Sequence, residues 1–73
     1  MKSLHPATEA ILGFFEYEHL PEDLQQISRP LHDLAWDMAL KLDGAELTAG
    51  LRKLLEAKDC LVRAALSLRE TQS

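Results

Sequence analysis

The sequence predicts an all-α protein: a short N-terminal helix followed by an antiparallel helical hairpin, assembled into a homo-oligomeric bundle. Three observations lead there. Helix formers dominate, and β-branched residues are few, with two Ile, one Val and three Thr in 73 residues. Apolar residues recur three and four apart along two long stretches. The clearest turn, Asp43-Gly44, separates those stretches, because Gly supplies the left-handed conformation that ends a helix.

The first helix is expected over residues 6–17. Pro6 suits a first helical turn, and Ala7, Ile11, Phe14 and Phe15 follow at helical spacing. Leu20-Pro21-Glu22-Asp23 starts the second, since Pro is tolerated there and two acids favour the positive end of the helix macrodipole. That helix is expected over 21–42, with Leu24, Ile27, Leu31, Leu34, Ala35, Met38 and Leu42 as its buried stripe and a kink at Pro30. The third is expected over 45–68. Leu47, Leu51, Leu54, Leu55, Leu61, Val62, Ala65, Leu66 and Leu68 carry its period, and Arg69 to Ser73 read as a fraying tail. Two helices joined by so tight a turn are antiparallel neighbours. The whole chain, 1–73, reads as a single helical-hairpin domain.

A domain this small buries only roughly 60% of its unfolded surface, so it gains from self-association. Phe14, Phe15, Trp36 and Leu40 lie partly off the main stripe, and Gly50 with Ala49 permits close backbone approach. Pairing hairpins would cover those faces; a first helix folded back over the hairpin is the alternative.

A net charge of −4 argues against a DNA or RNA binder, while leaving room for a local anion site. The patterns of common catalytic motifs are missing and the twelve carboxylates are scattered, so no catalytic residue is named and an enzyme is not expected. His5, His19, His32 and Cys60 lack any local ligand spacing, so neither a metal nor another cofactor is expected. Cys60 reads as a small buried hydrophobe. A lone cysteine, no apolar leader in MKSLHPATEA and no span-length apolar run lead to an expectation of a cytoplasmic protein without membrane contact.

The few aromatic and cationic residues are the informative ones. Tyr17, at the end of the first helix, can present a flat face to a base, or simply cap the core with its hydroxyl in water. Arg29 and His32 share a helix face that can meet one anion, the His only while protonated; the alternative is a solvated pair. Arg63 and Ser67 are one turn apart and can hold a phosphate through a guanidinium fork and a hydroxyl. An Arg63–Asp59 ion pair is the competing reading.

The segments EYEHLPEDLQQISRPLHDLAWDM and LRKLLEAKDCLVRAAL resemble a family of small phage proteins, the anti-CBASS cyclic-oligonucleotide sponges, related through a shared hairpin domain to a cyclic ADP-ribose sponge. The resemblance covers roughly Phe14 to Leu66. It implies a homohexamer of helical hairpins in the host bacterial cytoplasm. Such an assembly sequesters 3′,3′-cyclic GMP-AMP type dinucleotides, and in many members cyclic trinucleotides at separate sites, without catalysis. Tyr17, with Leu20 three residues on, matches the aromatic of the family's Tyr-x-x-Leu pattern that stacks on the dinucleotide base. His32 stands where many members have a phosphate-binding Lys, which leaves Arg29 as a substitute cation. Val62-Arg63-Ala64 resembles the family's trinucleotide-holding arginine, with Ser67 as its hydroxyl. Pro30 departs from the longer-hairpin members and suggests a divergent subgroup.

The competing class is a protein adaptor that packs a partner helix against Trp36 and the Phe14-Phe15 pair. It predicts an apolar groove left open, where a sponge predicts Tyr17, His32 and Arg63 at interfacial pockets.

Overall fold

The computed structural model describes residues 3–72, with side chains through Glu70. Those residues form three helices and no strand: α1 (Pro6–Gly13), α2 (Glu22–Lys41) and α3 (Ala45–Gln72). The fold is all-α.

Pro6 opens α1, and His5 caps it, its Nδ1 accepting the Ala7 N–H at 3.1 Å. The expected helix over 6–17 is shortened, because the chain tightens at Gly13. Phe14 N–H and Phe15 N–H bond the carbonyls of Ile11 and Leu12, three residues back, both at 3.0 Å. The tightening parts the two phenylalanines. Phe15 is completely buried and Phe14 is 65% exposed. Tyr17 therefore lies beyond α1, in a turn closed by Leu20 N–H on Tyr17 O (3.0 Å). Gln25 of α2 secures that turn, its Nε2 donating to Leu20 O at 2.8 Å.

Helix α2 runs through Pro30 without a break. Its buried line is Leu24, Ser28, Ala35 and Ala39, with Leu31 and Met38 half-buried; Ile27, Leu34 and Leu42, expected in the stripe, are exposed. The physical reason is α1. By folding back it claims one side of α2 and turns the buried sector toward the small residues Ser28, Ala35 and Ala39, which admit close neighbours. Leu42 is extended and Gly44 takes φ 97°, which turns the chain into α3.

The core gathers Ile11, Leu12 and Phe15 with Ala35, Ala39, Leu47 and Leu51, flanked by Leu31, Met38, Leu54 and Leu55. Beyond Leu55 burial fades: Val62 and Ala65 are half-buried, while Leu61, Leu66 and Leu68 are exposed. Cys60 is also exposed, correcting the expectation of a buried thiol. Two polar ties span the chain. Lys58 Nζ donates to Phe14 O at 2.6 Å, anchoring the end of α1 to α3. Arg69 clasps Asp23 through two nitrogens, Nε to Oδ2 at 2.5 Å and Nη2 to Oδ1. Arg69 is thus part of a helix reaching Gln72, not of a fraying tail; Ser73 lies outside the described residues.

The Arg69 hydrogen bond holds the Asp23 carboxyl below its ordinary value and raises the Arg69 guanidinium above its own. A lowered folded-state carboxyl pKa adds stability that is present above the unfolded value and is lost as pH falls through the folded one. Wild type should therefore exceed Asp23→Asn in urea midpoint at neutral pH, by little because both groups are exposed, and the gap should close between about pH 5 and pH 2. A gap unchanged across that range would show the clasp to be energetically silent.

Candidate functional site

The turn after α1 brings Tyr17 against the flank of α2. Its half-buried ring meets the His32 ring edge to face, with centroids 4.9 Å apart and planes at 74°. Arg29, one turn before, places its guanidinium carbon 6.0 Å from the Tyr17 centroid, at the outer range of a cation–π contact. Trp36, one turn after His32, adds a tilted ring with its centroid 6.4 Å from that of His32. These α2 residues share a face because three- and four-residue spacings align on a helix. The three residues expected at a dinucleotide site thus stand together.

Asp33 lies between the two polar side chains of this face. Its Oδ1 lies 2.9 Å from His32 Nδ1 and its Oδ2 4.0 Å from Arg29 Nε. An ionised carboxylate only accepts, so the short contact requires the proton on Nδ1 and leaves Nε2 as the other working nitrogen of the ring. Asp33 holds the His32 ring and offsets part of the Arg29 charge.

Beside the Tyr17 ring opens a cleft of about 630 Å³, with Tyr17, His32 and Trp36 on its wall along with Glu9, Glu16 and Glu18. Three carboxylates make that rim hostile to an anion. Arg29 is not part of the wall, so the cationic side of the Tyr17 ring and its acidic side are distinct. The aromatic surface of Tyr17 and the Arg29 guanidinium thus lie together on the side of the ring away from the three carboxylates.

Comparison with models of protein families, with characterised proteins and with solved structures finds no match. The chemistry of the site therefore rests on its own geometry.

Arg63 and Ser67 sit one turn apart on the exposed face of α3 and do not line the cleft. The Ser67 hydroxyl donates to Arg63 O at 3.2 Å. The Arg63 guanidinium turns to Cys60 Sγ (3.4 Å) and not to Asp59. Its contact with a weak acceptor leaves most of the guanidinium fork toward solvent. Among the described residues no three His, Cys, Asp or Glu side chains gather as a metal site, and no helix is long and apolar enough to cross a membrane.

Trp36 and Asp33 were not singled out as partners of this site from sequence. The signal was present: His32 and Trp36 are four apart, and Arg29 and Asp33 are four apart, on the helix that carries the candidate cations. What was missing was the turn that delivers Tyr17 to that flank.

The tautomer argument has a direct readout. In nitrogen-detected imidazole spectra taken where the ring is neutral, His32 should show its proton on Nδ1, and Asp33→Ala should shift it toward Nε2. An Nε2–H ring in wild type would remove Asp33 from the site.

Proposed function

We propose that this chain is a non-catalytic sponge that binds and sequesters cyclic oligonucleotide second messengers, blocking bacterial anti-phage signalling. The observation that supports this most is the meeting of Tyr17 with Arg29 and His32, an aromatic platform with a guanidinium and an imidazole at its edge. Such a platform suits a nucleotide of the 3′,3′-cyclic GMP-AMP type, one base stacking on the ring and a phosphate taken by the cations. Arg63 and Ser67 are the proposed site for a cyclic trinucleotide. The hydroxyl there must leave its backbone carbonyl to join the arginine.

In this reading α2 and α3 are the hairpin of a homo-oligomer, a hexamer by the resemblance to the anti-CBASS sponges. The protein is phage-encoded and works in the host cytoplasm. A sponge acts by abundance and affinity, lowering free messenger without turning it over.

One observation favours the adaptor reading, in which a partner helix packs on this protein: Phe14 and Leu40 are 65% and 55% exposed, and Trp36 is 37% exposed. Phe15 no longer serves as an anchor there, since it is fully buried.

Titration calorimetry against 3′,3′-cyclic GMP-AMP and a cyclic triadenylate, with ligand recovered by chromatography, tests the proposal. The expected result is binding with intact ligand. Tyr17→Ala should weaken the dinucleotide by roughly tenfold to a hundredfold, the worth of one stacked base. Arg63→Ala should remove the trinucleotide and spare the dinucleotide. Absence of heat from a folded protein would transfer the proposal to the adaptor, and cleaved ligand would make it an enzyme.

A further inference from the structure

Helix α3 carries a second pattern that the core does not use. Gly50, Leu54, Ala57, Leu61, Ala64 and Leu68 follow one another at alternating steps of four and three, a heptad seam in which Leu alternates with Gly or Ala. Leu54 is half-buried against the core. The other five are exposed, Leu61 by 48% and Leu68 by 60%, and a Cβ added at Gly50 would meet nothing within 4 Å. At 100° per residue, Ile27 and Leu34 of α2, exposed by 36% and 44%, fall on the flank of α2 away from His32 and Trp36. The apolar face formed by these residues is therefore the one that α1 and the Tyr17 turn leave open. The Asp23–Arg69 clasp sets the register of α2 on α3 and puts Leu34 level with the middle of the seam.

We propose that a second copy of this chain docks on this face, the two α3 helices running antiparallel about a twofold axis near Cys60. The inference rests on the self-association part of the proposed function and not on its ligand.

Side-chain volume selects that occupant. In an antiparallel pair Leu68 faces Gly50, Leu61 faces Ala57 and Leu54 faces Ala64 of the other copy, all in the same register, so every layer joins a large residue to a small one. A parallel pair would stack Leu on Leu and Ala on Ala, leaving layers alternately wide and narrow. The close-packed interior of proteins disfavours such voids. An isologous twofold contact needs this kind of self-complementarity. The seam spans about 27 Å at 1.5 Å per residue. Along that length Leu61 and Leu68 are 48% and 60% exposed, apolar surface that a second copy would remove from water. The seam itself carries no charged residue to be desolvated.

Cys60 flanks the seam on its outer side, so the axis brings the two thiols of a pair near each other and each Lys53 near the other copy's Ser67. Light scattering on the full chain, combined with a short bis-maleimide, reads both. Wild type should cross-link through Cys60 into a dimer, and Cys60→Ser should not. With that serine in place, a mixture of Lys53→Cys and Ser67→Cys chains should cross-link to each other, while Lys53→Cys alone should not. Leu61→Lys, a change at an exposed position, should keep its helical circular dichroism and lose the cross-link. A monomer at every concentration would overturn both this interface and self-association, and leave nucleotide binding to its own calorimetric test. An oligomer that fails to cross-link at Cys60 and in the mixture would overturn this interface alone, and a Lys53→Cys homodimer cross-link would overturn its antiparallel sense.

Discussion

Burial of Phe15 is the constraint from which the rest of the structure follows. A ring this size is worth about 3–5 kcal/mol against truncation when fully buried, a large fraction of the stability of so small a domain. To reach the core, the chain must leave α1 at Gly13, which sends Phe14 outward and Phe15 inward. The same turn carries Tyr17 past α1 onto the flank of α2. The aromatic platform is thus a consequence of how the core closes, and Lys58 reinforces it by binding the carbonyl of Phe14.

The closure divides the α2–α3 pair into two sides. One side receives α1 and the Tyr17 turn, and carries the rings, the cations and the acidic rim. The other stays apolar and open along α3. A small domain with exposed Leu34, Leu61 and Leu68 has much to gain by covering them, and an interface placed there would leave the Tyr17 side accessible. The acidic residues Glu9, Glu16 and Glu18 also set the charge of the cleft. They discourage anions along the cleft, so the phosphate of the proposed ligand would have to approach the edge where Arg29 and His32 stand, beside Asp33.

Much of the helical order was legible in the sequence because it depends on local signals: Pro6 and Pro21 at helix starts, Gly44 at the break, and apolar spacing between them. Interactions across the chain were not legible. The α2 stripe was read with Ile27 and Leu34 inside, since period alone does not say which flank a third helix will occupy; α1 then chose the Ala39 side. The end of α3 was underestimated because its last turns are held by Asp23, far away in sequence. At the site, Tyr17, Arg29 and His32 were identified by residue type and resemblance, while Asp33 and Trp36 needed the turn geometry. The thiol of Cys60 was misjudged for a related reason: helical context suggested burial, but Cys60 stands on an exposed face of α3, where its contact is the Arg63 guanidinium one turn on.

Ligand-to-protein NOEs on the assembled protein with 3′,3′-cyclic GMP-AMP test the central claim most directly, that the turn fixed by Phe15 presents Tyr17 as a base platform flanked by cations. The account predicts cross-peaks from a purine base proton to the Tyr17 ring, together with the Tyr17–His32 ring contact in the free protein. Bound ligand whose base protons contact other aromatic side chains and never Tyr17 would contradict it.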